Sequence, residues 1–419
     1  MKNYPWSNED LDYDVAVIGA GMSGLMLVRR LMEDPRTAEM RVLILEKDLL
    51  EYAPRTWCYW EEAAGGMIEP GICKEWDRAE VLLGDDRLEM DLRPFRYRMI
   101  DAEEWRRTLL ESVSASSNIR LLKGEVVGLQ ENGHSVRIEA GGNSYRCGWV
   151  FDSRWDASAL EDYSGHVLYQ QFVGWKVVCN KPGFDPGQAR LMDFRVDQPG
   201  AVAFCYLLPL NARQALVEYT LFTPDIRDWE ALRDSVRDYL RLNFPGVLFQ
   251  VDGIEKGIIP MTDYPFGSGH KRMIRIGTAG GCSKASTGYT FAFARQHASS
   301  IVSALASGSR PPAFYELYSR RFGFYDRVML RVILEDPRRG AFILYRLFQQ
   351  NATPRVLRFL SNRSSLWDEL KIFSSLPVGV FFRAALRECI SAGRWKRSVV
   401  RSSAGSRPHR NAERETEAA

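Results

Sequence analysis

The chain has 419 residues, 45% of them hydrophobic and 26% charged, enough for two or three closely packed modules around a substantial core. Its formal net charge of +3, with acidic and basic residues interspersed, excludes a nucleic-acid binder that works by bulk charge. Seven cysteines without a C-x-x-C pair or a histidine at ligand spacing exclude a disulfide framework and a metal site, and point to the cytoplasm as a reducing compartment.

Taken from its start, the chain shows no apolar signal core over residues 1–10, and no later run reaches eighteen apolar residues, so neither export nor a spanning helix is expected. The first strong signal is Asp14-Val15-Ala16-Val17-Ile18-Gly19-Ala20-Gly21-Met22-Ser23-Gly24-Leu25. An apolar run enters G-x-G-x-x-G and continues at helical spacing, which describes a cradle for a dinucleotide pyrophosphate at a helix N-terminus. Gly19 suits the tight turn, Gly21 the close approach of the phosphates, and Gly24 the packing of helix on strand. Glu46 ends the next apolar run, where a carboxylate accepts from ribose hydroxyls. This unit alone fits FAD or NAD, and its place at the start of a long chain favours FAD.

Beyond Glu46, Arg55-Thr56-Trp57-Cys58-Tyr59-Trp60 crowds three large aromatics into a segment with little helical periodicity, suited either to a site wall or to strand residues of a core. Arg55 is suited to a phosphate or to a solvated loop. Residues 102–117 have the spacing of an amphipathic helix, followed by a strand near 119–122 and a hairpin of strands 125–129 and 135–140. A further strand, 149–154 with Asp152, returns to the nucleotide-binding sheet. Strand-like runs then recur from 168 to 222, divided by proline and glycine turns, which predicts a mainly antiparallel sheet. Within it Glu218 sits inside the apolar run Leu216-Val217-Glu218-Tyr219-Thr220-Leu221. Strand alternation by itself places Glu218 as an ordinary outward-facing residue, with Val217 and Tyr219 on the opposite face.

A helix near 226–241 precedes Ile274-Arg275-Ile276-Gly277-Thr278-Ala279-Gly280-Gly281, and Thr287-Gly288 leads into an apolar-periodic segment over 289–305, a second strand-glycine-helix unit. Residues 313–390 mix arginine with Phe, Leu, Tyr and Trp at helical spacing, as packing helices or, alternatively, as a surface that rests on a bilayer. From Ser391 the chain is rich in Arg, Ser, Gly and Ala, the composition of a disordered basic tail. The expected organisation is a nucleotide-binding domain in parts over 1–80, 81–165 with the hairpin, and 266–310; a β-rich substrate-binding domain over 166–265; a helical region over 311–390; and the tail over 391–419.

Several motifs, taken in this order, carry a resemblance: Arg55 to Trp60, Phe172-Val173-Gly174-Trp175, Met192-Asp193-Phe194-Arg195, Tyr206-Leu207-Leu208-Pro209, Leu216 to Thr220, Ile259-Pro260-Met261-Thr262, Ile276 to Gly281, Lys284, and Ser286-Thr287-Gly288-Tyr289-Thr290-Phe291. From about Asp14 to Leu334 the chain resembles the flavoprotein kind of lycopene cyclase, found in bacteria and plants. The resemblance implies an α/β fold: an FAD-binding Rossmann-like domain of the glutathione-reductase type, an antiparallel β-sheet substrate domain and a helical C-terminal region. It implies an intramolecular lyase that cyclises the ψ-ends of lycopene or a related acyclic carotenoid to β-ionone rings. This is an isomerisation that uses reduced FAD without net redox change, with NAD(P)H as reductant. It also implies an enzyme that is cytoplasmic and peripheral to the membrane.

Ring closure requires an acid that protonates a terminal alkene, and carbon is a poor base, so a glutamic acid kept neutral by an apolar site is needed. Glu218 is the candidate. The family often has two adjacent acids here; Tyr219 replaces the second, which leaves the proton acceptor unassigned. Trp57, Tyr59, Trp175 and Tyr206 are candidate aromatic faces for the cation. Gly277, Gly280, Gly281 and the backbone N–H groups of Thr287 and Gly288 are expected toward the flavin, with Arg55 and Asp152 near the nucleotide. The rivals are a monooxygenase or an isoprenoid reductase on the same scaffold, and a non-catalytic carotenoid or flavin carrier. Product mass separates the enzymes.

Overall fold

The computed structural model describes residues 11–49, 54–63, 68–267, 271–317 and 319–390. The expectations for residues 1–10 and for the tail concern positions outside that range. Strand Tyr13–Ile18 is apolar on both faces, as a central parallel strand must be. It lies between Val42–Glu46 and Asn143–Asp152, with Ile119–Lys123 outside the former, and all four run parallel. The hairpin Val126–Glu131 and Val136–Ala140 continues the sheet beyond Asn143–Asp152, and the short strand Met273–Arg275 pairs parallel with the end of that same strand. Three segments distant in sequence thus share one sheet. Helices Met22–Glu33, Ala102–Ser114 and Phe291–Ala306 bury their apolar residues against it: Leu25, Val28, Trp105, Leu109, Phe291 and Ile301 meet Val15, Val17 and Ile44. The middle helix starts where Asp101 accepts from the N–H groups of Glu103 and Glu104, a side-chain cap beside a positive helix end.

A second sheet runs in the order Phe249–Thr262, Val167–Cys179, Gln214–Thr223, Val202–Pro209, Ala189–Asp193, Arg78–Leu83, Asp86–Asp91. It is antiparallel except where Ala189–Asp193 meets Arg78–Leu83. The hairpin 78–91 therefore belongs to the antiparallel sheet and not to the nucleotide-binding unit expected over 81–165. Alternation reveals which side of a strand is buried but not which sheet it joins. A small sheet, Thr56–Glu62, Phe95–Asp101 and Ile72–Trp76, stands between the two large ones.

The antiparallel sheet is covered on both sides. On one, Val173, Trp175, Val217 and Tyr219 pack against Leu232, Val236, Tyr239 and Leu240 of helix Trp229–Asn243. On the other, Phe204, Leu208, Leu216 and Phe222 pack against the C-terminal helices Arg320–Glu335, Pro337–Gln349 and Thr353–Leu360. Helix Pro337–Gln349 comes so near the sheet that a Cβ on Gly340 would overlap Val202 Cγ2. The helical region thus packs on the antiparallel sheet with its inner side. A buried ion pair ties it to the second glycine segment: Lys284 Nζ donates to Asp326 Oδ1 at 2.7 Å and to Asn362 Oδ1 at 2.8 Å, and Ser286 Oγ donates to Asp326 at 2.6 Å. Helix Leu366–Ser375, with a Ser365–Asp368 capping box, and a last helix over 378–390 complete the layer.

Candidate active site between the two sheets

The first glycine turn is built as its spacing demands. Gly19 has φ +98°, a conformation that side chains disfavour, and a Cβ there would overlap Ser153 Oγ. A Cβ on Gly24 would overlap the carbonyl of Gly19, so only glycine lets helix Met22–Glu33 sit this close to the strand. Nothing lies within 4 Å of the Cβ position of Gly21, so its backbone faces open space at a helix N-terminus whose first N–H groups have no partner within the helix. Glu46 folds back on this turn and accepts from the N–H of Ala20 at 2.6 Å and of Asp48 at 3.2 Å. Gly277, Gly280 and Gly281 form the second turn, which abuts the first: a Cβ on Gly277 would stand 2.5 Å from Ser23 Oγ.

In the antiparallel sheet, three neighbouring strands align Glu218, Gly174 and Glu255 in one row. Residues opposite one another across a ladder share a face, so both carboxyls project to the same side, their backbones about 10 Å apart, two strand spacings. Gly174 leaves the gap between them, into which Glu255 leans: a Cβ on Gly174 would stand 3.0 Å from Glu255 Cγ. Tyr206 lies opposite Glu218 on the other flank. Thr220 Oγ1 donates to Glu218 Oε1 at 2.8 Å, and Thr56 Oγ1 donates to Glu255 Oε2 at 2.8 Å.

Cys58 and Tyr289 line a cavity, and Glu218 and Tyr206 are half-buried next to them, close enough for Glu218 to act on Cys58 and for Tyr206 to act on Tyr289. Desolvation there, together with the charge of Glu255, raises the Glu218 carboxyl well above the ordinary range. Desolvation also raises Glu255, but the Thr56 hydroxyl and then Lys176 oppose it, so Glu218 is displaced further. The Cys58 thiol, Tyr206 and Tyr289 are driven up chiefly by burial as well and remain protonated. Beyond Cys58 and Tyr289 a cavity of about 610 Å³ opens outward between Trp60, Phe95, Phe293 and Leu360, with Arg358 and Arg363 also lining it. Trp60 meets Tyr289 edge to face at 4.3 Å, and its Nε1 donates to Ser361 Oγ at 2.7 Å, so the C-terminal layer closes this wall.

The expected residues divide accordingly. Glu218 and Tyr206 lie beside Cys58 and Tyr289, at the inner end of the cavity. Trp175 does not: it is one residue past Gly174, which turns it to the opposite face under helix Trp229–Asn243. Trp57 and Tyr59 face the nucleotide-side core, Trp57 edge-on to Trp105 at 5.2 Å and Tyr59 stacked on Phe291 at 4.8 Å, although Tyr59 also borders the outer cavity. From that strand it is Thr56 and Cys58 that turn toward the carboxyls. Arg55 is exposed, and its charge acts on Glu255. The carboxylate of Asp152 is occupied by Arg154, at 2.8 Å, so its bond to the second glycine segment is made by the backbone: its carbonyl accepts from Ile276 N–H. The N–H groups of Thr287 and Gly288, expected to be free, both donate to the Lys284 carbonyl. What remains there without a partner is Thr287 Oγ1 and, against Gly288, Gln170 Oε1, both buried polar atoms. Among the described residues no cluster has the makings of a metal site, and the seven cysteines are free.

A family model described as lycopene cyclase protein matches residues 14–386. The chain is similar to lycopene beta-cyclase of Pseudescherichia vulneris, with 26% identity over 397 residues, 89% of this chain and 97% of that protein. In fold it is similar to a geranylgeranyl bacteriochlorophyll reductase-like protein from Thermoplasma acidophilum, with TM-score 0.62, 14% identity, and coverage of 88% of this chain and 98% of that one. It is also similar to p-nitrophenol 4-monooxygenase from Pseudomonas putida DLL-E4, with TM-score 0.51, 16% identity, and coverage of 90% and 97%. The architecture is accordingly the FAD-binding Rossmann-type α/β fold with an antiparallel sheet domain and C-terminal helices.

Proposed function

Because the chain belongs to the lycopene cyclase protein family, we propose that it closes the ψ-ends of lycopene, or of a related acyclic carotenoid, into β-ionone rings without net redox change. What supports this reading is the setting of Glu218, in one row with Gly174 and Glu255 and flanked by Tyr206, where desolvation and the charge of Glu255 favour its acid form. Such a group can protonate an alkene, whereas a solvated glutamate is ionised at neutral pH. The tertiary cation that follows needs polarisable walls that do not trap it. Tyr206, Tyr289 and Trp60 present aromatic faces, and Cys58, kept as a thiol by burial, is a poor nucleophile.

FAD suits the two glycine turns: the open backbone at Gly21 would take the pyrophosphate, Glu46 the ribose, and Gly277, Gly280 and Gly281 the flavin side, where Thr287 Oγ1 and Gln170 Oε1 await partners. When bound in its reduced form, with NAD(P)H as reductant, FAD would supply negative potential to stabilise a cation. Expression in lycopene-accumulating bacteria, followed by pigment chromatography and mass measurement, tests the reading. The expected pigment is cyclic and of unchanged mass; a gain of oxygen or hydrogen would instead identify a monooxygenase or a reductase.

Peripheral membrane docking from the cytoplasmic side belongs to this proposal. Among the described residues no helix is long and apolar enough to cross a membrane. Yet Leu366, Trp367 and Leu370 are exposed, and the last helix carries Val378, Phe382, Leu386 and Ile390 exposed at intervals of four, with Arg383 and Arg387 nearby. An apolar stripe with basic flanks is the pattern of a helix lying in the head-group layer. In sedimentation with anionic vesicles, W367S and F382S together should lower binding at least tenfold, about 1.5 kcal/mol or more of lost apolar burial. Equal binding of variant and parent would remove this surface from the account.

A further inference from the structure

Resting on the cyclase reading, we propose that Glu255 is the base that takes the ring proton and then returns it to Glu218. Removing a proton from carbon next to a cation needs an ionised acceptor on the side of the sheet where the acid acts, and few groups qualify. Tyr219, which follows Glu218 in the chain, points to the other face and is buried against helix Trp229–Asn243. Asp193 lies in an ion pair with Arg195 at 2.7 Å. Asp101 caps a helix and faces Lys176 at 3.3 Å. Glu255 alone of these shares the row with Glu218, and Gly174 clears the space between them.

Its surroundings differ from those of Glu218 in the sense the role requires. Against burial and the charge of Asp101, the Thr56 hydroxyl donates to Glu255 and Lys176 and Arg55 act on it, all three favouring the carboxylate. Glu218 has only the Thr220 hydroxyl to oppose desolvation and the neighbouring charge. One carboxyl therefore holds the proton and the other is ready to receive one. In the cycle the O–H bond of Glu218 breaks and a C–H bond forms at the terminal alkene. The electron pair of the internal double bond then closes the ring onto the tertiary cation. A ring C–H bond beside the new cation breaks, its electrons become the ring double bond, and its proton goes to Glu255. Transfer of that proton to Glu218 restores the starting state, and the product is an isomer of the substrate.

The position of the ring double bond is the readout, because a strut with no part in the chemistry would not set it. With full-length, FAD-loaded protein kept reduced by NAD(P)H or dithionite, and lycopene in vesicles, the parent should give β-rings and E218Q none. E255Q should form β-rings at least 100-fold more slowly, with its residual products carrying the ring double bond at other positions. E255D, shorter by one methylene, should give a slower reaction with mixed ring isomers, and it decides the matter if E255Q does not fold. A parent that makes no ring overturns the cyclase reading and this assignment together. A cyclising parent beside an E255Q or E255D that yields β-rings alone overturns the assignment by itself.

Discussion

Glu218→Gln should lower ring formation at least 1,000-fold while the protein still folds and takes up FAD, since positioned proton transfer is worth about 100- to 10,000-fold and glutamine has no proton to give. Glutamine keeps the shape of the side chain and an oxygen to accept from Thr220 Oγ1, so the row of side chains stays in place. The same substitution has a thermodynamic signature. Glu218 binds its proton more tightly in the folded chain than in the unfolded one. Below the unfolded value of about 4.3, both states are protonated and the site costs nothing. As pH rises from there through the elevated folded value, the unfolded chain ionises first, and native stability declines by an amount that levels off once the folded group has also ionised. The Tm of E218Q relative to the parent should therefore climb with pH, from no difference in acid to a clear gain in weak alkali. Parental turnover should fall over the upper part of the same window as the acid is lost. Scanning fluorimetry across pH reads the first effect and pigment assays the second. A stability difference that shrinks as pH rises would show that Glu218 is not held protonated.

Asp326→Ala should destabilise the protein by about 3–5 kcal/mol, the cost of leaving one member of a buried ion pair alone. Lys284 is 4% exposed, and without Asp326 its ammonium keeps only Asn362 among the side chains it now touches. Ser286 loses its acceptor at the same stroke. The expected fall in Tm is about 4–6 °C for a chain of this length. The double variant K284M/D326L should recover much of it, because matched apolar groups replace a desolvated pair at little net cost. Thermal denaturation of the single and double variants measures both. A loss below about 1 kcal/mol in D326A would mean that water reaches the pair.

The glycine spacing at 19–24 carried enough information to place strand, turn and helix, because that geometry is local and strand 13–18 is apolar on both faces. The return of a strand to the same sheet was legible over 149–152 for a similar reason, an apolar run beside a hairpin signal, whereas its polar start at Asn143 was not. Glu218 emerged only through its motif, since period-two alternation assigns a side but not what covers it. Glu255 was hidden more deeply. Its stretch, Asp252-Gly253-Ile254-Glu255-Lys256-Gly257, lacks the apolar look of a strand, and its relation to Glu218 passes through a third strand whose register no local pattern reveals. Trp175 shows the converse, for a single step along the strand separates the gap at Gly174 from a residue facing the far helix. Thr287 and Gly288 were expected to offer N–H groups that the tight turn at Lys284 has already engaged.

The interleaving of the antiparallel sheet bears on any attempt to recombine this scaffold. Its outer edge, Arg78–Leu83 and Asp86–Asp91, is made long before the strands that hold Gly174, Glu218 and Glu255. A cassette spanning only 166–265 would arrive without that border and leave Ala189–Asp193 as an open rim, inviting intermolecular pairing. A chimera that keeps this sheet whole would have to transplant 54–101 together with 167–262, two blocks rather than one.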